Sequence, residues 1–159
     1  MTNAYSAVMT APFGVLGLVV RGEALAGVDF LPAATPLVPA RDALTREAVR
    51  QLGAYFENPR FAFDVPLLIA GTEFQKRVWA LMCAIPVGAA KSYGEAARDL
   101  KSAARAVGGA CGANPLAIVI PCHRIVAARG LGGFMGRTVD DTLKIKRWLL
   151  QHEGYPGVN

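Results

Sequence analysis

The chain has 159 residues, of which 53% are hydrophobic and 18% charged, a composition typical of one or two folded domains and not of a disordered protein. The apolar stretch over residues 11–20 is about half as long as the ~20 residues that a membrane-spanning helix needs, and no basic residue precedes it, so we expect no membrane anchor and no secretory signal. Three cysteines without a Cys-x-x-Cys pair predict no disulfide framework, and we therefore expect a soluble protein of the reducing cytoplasm.

The positive charge of the chain is concentrated in its second half. Residues 1–70 contain five basic and six acidic residues, for a net charge of −1, whereas residues 71–159 contain twelve basic and six acidic residues, for +6. Such an asymmetry is typical of a surface that binds a polyanion, although a solvated basic surface without a partner has the same composition.

The first half has the pattern of a small mixed α/β unit. Apolar runs over 13–20 and 25–31 are separated by Arg21-Gly22-Glu23, which predicts two strands joined by a turn. Helical spacing of apolar residues predicts a helix over 41–56, and the alternation over 61–65 predicts one more strand. No catalytic constellation is present, so we expect residues 1–70 to form a supporting domain.

The second half begins with predicted helices. Thr72 with Gln75, and Ser92 with Glu95, have the spacing of capping boxes, which indicates two helix starts. We expect Ser102 to cap a further helix over 103–113. Two short helices with a short connection form the pattern of a helix-turn-helix, so the predicted fold is α/β (α+β), with a mostly helical domain over 71–159.

The helix predicted over 103–113 carries one long polar side chain, Arg105, among alanines and glycines. A helix that reads the major groove normally presents several polar side chains to the bases. A smooth helix can instead approach the minor groove closely, with Arg105 projecting into the duplex. Tight packing against another helix is the alternative explanation of the same composition.

Cys122 is the candidate nucleophile. It follows an apolar run over 116–120 that predicts a buried strand, and it lies beside His123 and Arg124, neighbours that favour the thiolate over a thiol whose pKa is ordinarily ~8.5. Adjacent strand residues face opposite sides, so His123 reaches the sulfur only through a water or a bend at Pro121. Glu153, at the end of a helix predicted over 139–152, is the candidate carboxylate to orient His123.

Taken together, these motifs resemble the O6-alkylguanine-DNA alkyltransferases (methylated-DNA–protein cysteine methyltransferases). The resemblance covers essentially all of residues 71–159, whereas residues 1–70 are similar only loosely to the smaller, variable α/β domain of that family. The motifs that carry it are Gly71-Thr72-Glu73-Phe74-Gln75, Val78-Trp79, Ile85-Pro86, Ser92-Tyr93-Gly94, Arg105-Ala106-Val107-Gly108, Asn114-Pro115, Pro121-Cys122-His123-Arg124 and Leu149-Leu150-Gln151-His152-Glu153-Gly154.

The resemblance implies roles for the residues at the cysteine. An alkylated guanine is flipped out of the duplex, and Cys122 attacks its O6-alkyl carbon. His123 acts through a water as the base for the thiol and is oriented by Glu153. Tyr93 assists proton supply to the departing guanine, and Asn114 ties the DNA-binding helices to the active-site strand.

The resemblance also implies a DNA surface and a base pocket. Arg105 takes the place of the flipped base, and the surrounding contacts come from Ala103, Ala104, Gly108 and Ser92. The pocket is formed by Tyr93 together with Ile125, Phe134 and Met135. Two features depart from the family pattern: Phe134-Met135 stands where relatives often carry Tyr-Ser or Tyr-Gly, and Asp99-Leu100-Lys101-Ser102 lacks the Gly-Pro-type turn of many relatives.

The chemistry of alkyl transfer predicts a protein that acts once, because water does not cleave the thioether that remains on Cys122. The implied partner is double-stranded DNA that contains O6-alkylguanine, with O4-alkylthymine as a further possible lesion, bound by a monomer that acts singly or cooperatively along DNA. We expect no cofactor, and no structural zinc, because residues 1–70 contain neither Cys nor His. We expect Cys83 and Cys111 to pack inside helices.

Two other functions use the same residues. A cysteine hydrolase or amidase would employ Cys, His and Glu as a triad and would release product over many turnovers. A sensor of alkylated bases would bind DNA without repairing it, but relatives of that kind lack the reactive cysteine that this chain has.

Overall fold

The computed structural model describes residues 5–134 and 140–158, and the chain divides into two compact units. The first unit contains the chain up to Ala70 together with Pro115–Val119, and the second contains Gly71–Asn114 together with the chain from Ile120 onward. Residues 115–119 therefore pack with the first unit, although a division of the sequence near Gly71 assigns them to the second domain. Within the described ranges, no helix combines the length and apolar character that crossing a bilayer requires.

The first unit is built on a three-stranded antiparallel sheet in the order β1-β2-β3, which confirms the mixed α/β class. The strands are β1 (Ala7–Ala11), β2 (Gly14–Arg21) and β3 (Ala24–Leu31). β2 and β3 confirm the two predicted strands. β1 was not predicted, because its short sequence has no run of branched apolar residues and pairing with β2 is what holds it extended.

Helix α1 (Ala43–Glu57) confirms the predicted helix of the first half. It begins at Asp42, whose carboxylate accepts a hydrogen bond from the backbone N–H of Thr45 at 2.8 Å. Its apolar face is buried through Ala48, Leu52 and Tyr55.

The predicted strand over residues 61–65 is wrong. The ring of Phe63 packs on the rings of Tyr55 and Phe61, with centroids 5.6 and 5.8 Å apart, so aromatic packing and not strand pairing explains the alternation. The backbone reaches the sheet slightly later, where the N–H of Leu25 donates to the carbonyl of Pro66 at 2.8 Å.

The predicted continuous strand over 116–120 is also wrong. Leu116 forms a single parallel bridge with Val28, and the N–H of Val28 donates to the carbonyl of Pro115 at 2.9 Å. Ile118 then has φ 75°, a left-handed conformation that no extended strand accommodates. The run is apolar because it is buried, as predicted, but it turns where a strand would continue.

The second unit is mostly helical, with α2 (Glu73–Cys83), α3 (Tyr93–Asp99), α4 (Ala104–Gly112) and α5 (Asp140–His152). Both predicted capping boxes are confirmed, one at Thr72 and one at Ser92. Trp79 anchors α2 to α4, because its indole Nε1 donates to the carbonyl of Ala110 at 2.9 Å. Cys111 is buried as expected, but Cys83 is exposed at the end of α2, so its predicted packing is wrong.

Helices α3 and α4 form the predicted helix-turn-helix, but Ser102 does not cap α4. The N-cap is Ala103, which has no side-chain hydrogen bond to offer. The N–H of Ser102 instead donates to the carbonyl of Ala97, and that of Lys101 to Arg98, which together form a Schellman ending for α3. Lys101 occupies the left-handed position of this motif, with φ 54°, where glycine is usual.

A two-stranded parallel sheet pairs the strand that precedes α3 with the strand that follows the Cys122 turn. It pairs β4 (Lys91–Ser92) with β5 (Ile125–Val126), and a short 3-10 turn over Cys122–Arg124 precedes β5. Because β4 leads directly into α3, this pairing places Tyr93, the first residue of α3, next to the loop that follows β5.

Candidate active site

Cys122 lies at the first position of the 3-10 turn and is 3% exposed. The N–H of Cys122 donates to the carbonyl of Ile120 at 2.8 Å, and the N–H of Arg124 donates to that of Pro121 at 3.0 Å. The chain therefore bends at Pro121, which is one of the two geometries that the sequence left open. In a turn, the side chains of Cys122 and His123 are not forced to opposite faces as they are in a strand.

His123 and Glu153 form the predicted contact. The Nε2 atom of His123 lies 2.8 Å from the Oε2 atom of Glu153, and both side chains are fully buried. Arg124 binds the same carboxylate, from Nε to Oε1 at 2.9 Å and from Nη2 to Oε2 at 3.0 Å. Its Nη1 atom donates to the carbonyl of Ile85 at 2.6 Å, so Arg124 is held in place.

His123 is therefore a neutral imidazole with one ring nitrogen that has no hydrogen-bond partner among the described residues. Burial lowers the pKa of His123 from its usual 6.5, and this effect exceeds the opposing hydrogen bond and charge of Glu153. With Glu153 accepting at Nε2, the proton of the neutral imidazole resides there, and Nδ1 keeps its lone pair. Among the described buried side chains, Nδ1 is the atom that has no hydrogen-bond partner. It is thus open to a water or a substrate proton.

The groups that favour the Cys122 thiolate are not those that the sequence indicated. Burial raises the pKa of Cys122 to about 11, while a hydrogen bond from Asn114 and the positive charge of Lys146 lower it. His123 and Arg124 were expected to do this, but their side chains are committed to Glu153. Their expected part in favouring the thiolate therefore stays a prediction.

Asn114 occupies the place between α4 and the cysteine that the resemblance implies for it. It is buried, follows the end of α4, and donates from Nδ2 to the carbonyl of Ile120 at 2.9 Å. It therefore connects the helix-turn-helix to the backbone that leads into the 3-10 turn.

Lys146 is a site residue that no sequence motif indicated. It is fully buried in α5, and its Nζ atom donates to the carbonyls of Ile125 at 2.7 Å, Leu131 at 2.6 Å and Gly133 at 2.7 Å. Burial lowers its pKa to about 8. The available signal was its spacing, because Lys146 lies three and four residues before Leu149 and Leu150, on the buried face of the helix.

Tyr93 lies beside the loop that follows β5. Its hydroxyl donates to the carbonyl of Gly133 at 3.3 Å, and burial raises its pKa to about 12, so the phenol stays protonated. Gly132 has φ 73°, and a Cβ there would lie 3.0 Å from the Tyr93 ring, so glycine is needed at this position. Of the other predicted pocket residues, Ile125 and Phe134 are buried in the second unit, and Met135 falls outside the described residues.

Helix α4 has one buried and one exposed face. Val107, Ala110 and Cys111 are buried, whereas Arg105 is exposed together with the predicted contacts Ala103 and Ala104. Gly108 is half-buried. The hydroxyl of Ser92 accepts the N–H of Glu95 at 3.0 Å, so this residue serves as a helix cap, and its contact with DNA stays a prediction.

Comparison with known proteins shows the family of this chain. Residues 73–155 match the family described as 6-O-methylguanine DNA methyltransferase, DNA binding domain. The chain is 40% identical to the methylated-DNA–protein-cysteine methyltransferase of Methanosarcina acetivorans, over 94% of this chain and 98% of that protein. It is 43% identical over 134 residues to the protein of the same name from Mycobacterium bovis, which covers 79% of this chain and 81% of the relative.

A solved structure gives the same assignment. The fold is similar to that of Mycobacterium tuberculosis OGT in complex with DNA, with a TM-score of 0.77, 39% identity and 94% of each chain covered. The chain therefore belongs to the methylated-DNA–protein-cysteine methyltransferase family, the proteins that repair DNA by moving an alkyl group from a base to a cysteine of their own.

Proposed function

We propose that Cys122 is the acceptor in the repair reaction that family membership assigns to this chain, and that the alkyl group comes from O6 of a guanine in duplex DNA. The observation that carries this proposal is that adjacent residues place a buried thiol, Cys122, next in the chain to an imidazole, His123, that a buried carboxylate orients. The matched DNA-binding domain makes DNA a partner of the chain. The lesion and the acceptor residue are the new assignments.

The reaction begins with loss of the thiol proton. The Nδ1 atom of His123 has a lone pair and no protein partner among the described residues, so a water there would carry the proton from Sγ to the imidazole. The raised pKa of Cys122 makes this base necessary, because at neutral pH the buried thiol rarely ionises unaided. Glu153 supports the imidazolium that forms.

Alkyl transfer is then a single displacement. The Cys122 sulfur forms a bond to the alkyl carbon, and the bond from that carbon to O6 breaks, with its electron pair leaving on the guanine. Tyr93 is the proposed source of the proton that the guanine takes up, since its raised pKa keeps the phenol protonated. The His123 imidazolium then loses its proton to solvent and the Tyr93 phenolate takes one up from solvent. In the net reaction guanine gains one proton for the one that the thiol lost, and a thioether remains on Cys122, so each molecule acts once.

The exposed face of α4 is the proposed DNA surface. Its alanines let the helix approach the minor groove closely, and Arg105 would occupy the space that the flipped base leaves. We propose that a single chain suffices, since one cysteine and one arginine complete these roles. A reducing compartment such as the cytoplasm suits the protein, because Cys122 must stay reduced to accept the alkyl group.

The test is to mix the protein with duplex DNA that carries O6-methylguanine labelled in the methyl group. We expect one methyl per molecule, located on Cys122 by peptide mapping and absent from Cys122→Ser. Cys83→Ser, which removes an exposed cysteine, is the matched control and should accept the methyl normally. Methyl transfer that persists in Cys122→Ser would refute the assignment.

The same experiment separates the alternatives. A hydrolase would release product over many turnovers and leave the protein mass unchanged. A sensor of alkylated bases would bind the lesion and transfer nothing.

A further inference from the structure

We propose that Lys146 is a positioning residue for alkyl transfer, whose buried ammonium fixes the backbone of residues 125–133 and supplies positive charge to a site where the nucleophile becomes an anion. This inference rests on the proposed function, because it concerns the pocket and the cysteine assigned above.

The ammonium of Lys146 has a hydrogen-bond acceptor for each of its three N–H groups. A lysine ammonium has three N–H donors, and at Lys146 they meet three backbone carbonyls at 2.6 to 2.7 Å. One of these belongs to Ile125, directly after the turn that carries Cys122, and the other two belong to Leu131 and Gly133. A single side chain therefore ties the strand after the nucleophile to the loop that leads to Phe134.

Tyr93 shares this anchor. Its hydroxyl donates to the Gly133 carbonyl that Lys146 also binds, and the Nζ atom lies 5.9 Å from the centre of the Tyr93 ring. Displacing the ammonium would therefore move the loop and the Tyr93 hydroxyl together. Both belong to the proposed base pocket.

The charge of Lys146 is costly to bury, which argues for a role beyond packing. Among the described side chains, the ion pairs include no carboxylate partner for Lys146. The titratable groups that face it from neighbouring elements are Tyr93, Cys111, Cys122 and His123. Its charge lowers the pKa of both cysteines, so formation of the Cys122 thiolate would compensate the buried cation.

Two measurements distinguish the effect of Lys146 on the position of the loop from the effect of its charge on Cys122. The first is the single-turnover rate of methyl transfer from duplex DNA that carries O6-methylguanine, which needs both the base pocket and the thiolate. The second is the rate at which iodoacetamide alkylates Cys122 as a function of pH, which reports the thiolate without the base pocket. The variants are Lys146→Met, Lys146→Arg and the matched control Lys144→Met, which removes an exposed lysine of the same helix.

The expected results differ for each variant. Lys146→Met should slow transfer from DNA about 100-fold, the cost of misplacing a reacting group by ~1 Å, and should move the iodoacetamide profile to higher pH. Lys146→Arg keeps the positive charge, so its iodoacetamide profile should stay close to that of the parent. Its planar guanidinium cannot reproduce the three-donor geometry of the ammonium, so transfer from DNA should slow. Lys144→Met should change neither readout.

Three outcomes would contradict the role of Lys146 or the proposed function. A folded Lys146→Met with the parent's transfer rate and pH profile would overturn the inference. If that variant does not fold, Lys146→Arg decides, and a parental transfer rate there would overturn the positioning role. A parent protein that takes up no methyl from DNA would count against the proposed function instead, while its iodoacetamide profile would still test the charge of Lys146.

Discussion

The Nε2 atom of His123 lies 2.8 Å from the Oε2 atom of Glu153, and neither side chain is exposed to solvent. Arg124 donates to both oxygens of the same carboxylate, which accepts the imidazole N–H as well. The pair keeps His123 in one orientation, with Nδ1 unprotonated and free of protein partners among the described residues. This arrangement determines how the protein should respond to pH.

We expect the free energy of unfolding to fall as the pH drops below about 6.5, the usual pKa of histidine. The folded state holds the pKa of His123 lower than this, so the unfolded chain binds more protons in that window and acid favours unfolding. Chemical denaturation from neutral to acidic pH measures the effect. His123→Gln should flatten this dependence.

The rate of methyl transfer should fall in acid with a midpoint lower than 6.5, because protonation of His123 in the folded state removes the base. Single-turnover rates across the same pH range test this. A midpoint at or above the usual histidine value would contradict the assignment of His123 as the base.

Asn114→Ala should make the Cys122 thiolate harder to form. The hydrogen bond from Asn114 lowers the pKa of Cys122, so its loss should move the iodoacetamide profile to higher pH and slow transfer about tenfold for each unit of pKa. Val107→Ala, another truncation of a buried side chain, controls for general loosening of the unit. Equal shifts in both variants would show that Asn114 acts through packing alone.

Arg105→Ala should impair repair of duplex DNA far more than reaction with the free O6-alkylguanine base. The reason is that Arg105 would replace the flipped base in the stack, a role that the free base does not require. Arg98→Ala removes a positive charge from the exposed surface of α3 and is the matched control; its effect should be confined to salt-dependent binding. Equal losses on duplex and free base in Arg105→Ala would argue against insertion.

Lys101→Gly should stabilise the protein by about 1 kcal/mol, because Lys101 has φ 54° and a side chain in the left-handed region costs roughly that much. Lys101→Ala keeps the Cβ atom and should give no such gain. Denaturant unfolding of the three proteins measures the difference. Both substitutions remove one positive charge from the helix-turn-helix, so both should weaken DNA binding to the same extent. If Lys101→Ala stabilised the protein as much as Lys101→Gly, the backbone at this position would not be strained.

Local signals in the sequence predicted the elements that depend on neighbouring residues. The capping boxes at Thr72 and Ser92 are confirmed because a cap needs only two residues three positions apart. The apolar run over 116–120 correctly indicated burial, but its backbone turns at Ile118 because its neighbours in space, and not its own propensity, decide where it can pair. The aromatic alternation over 61–65 failed for the same reason.

The sequence by itself determined the family and the candidate residues Cys122, His123 and Glu153, since several motifs in the right order carry the resemblance. The bend at Pro121 and the contact of His123 with Glu153, across 29 intervening residues, were decided by the tertiary structure. Only the tertiary structure decided which groups act on the cysteine. His123 and Arg124 are neighbours of Cys122 in the chain but bind Glu153. The groups that lower the pKa of Cys122 are Asn114, which follows the end of α4, and Lys146, which lies in α5. The strength of an electrostatic interaction depends on the distance between the charges and on their burial. Lys146 lies on the inner face of its helix, where it is buried and its charge lowers the pKa of Cys122.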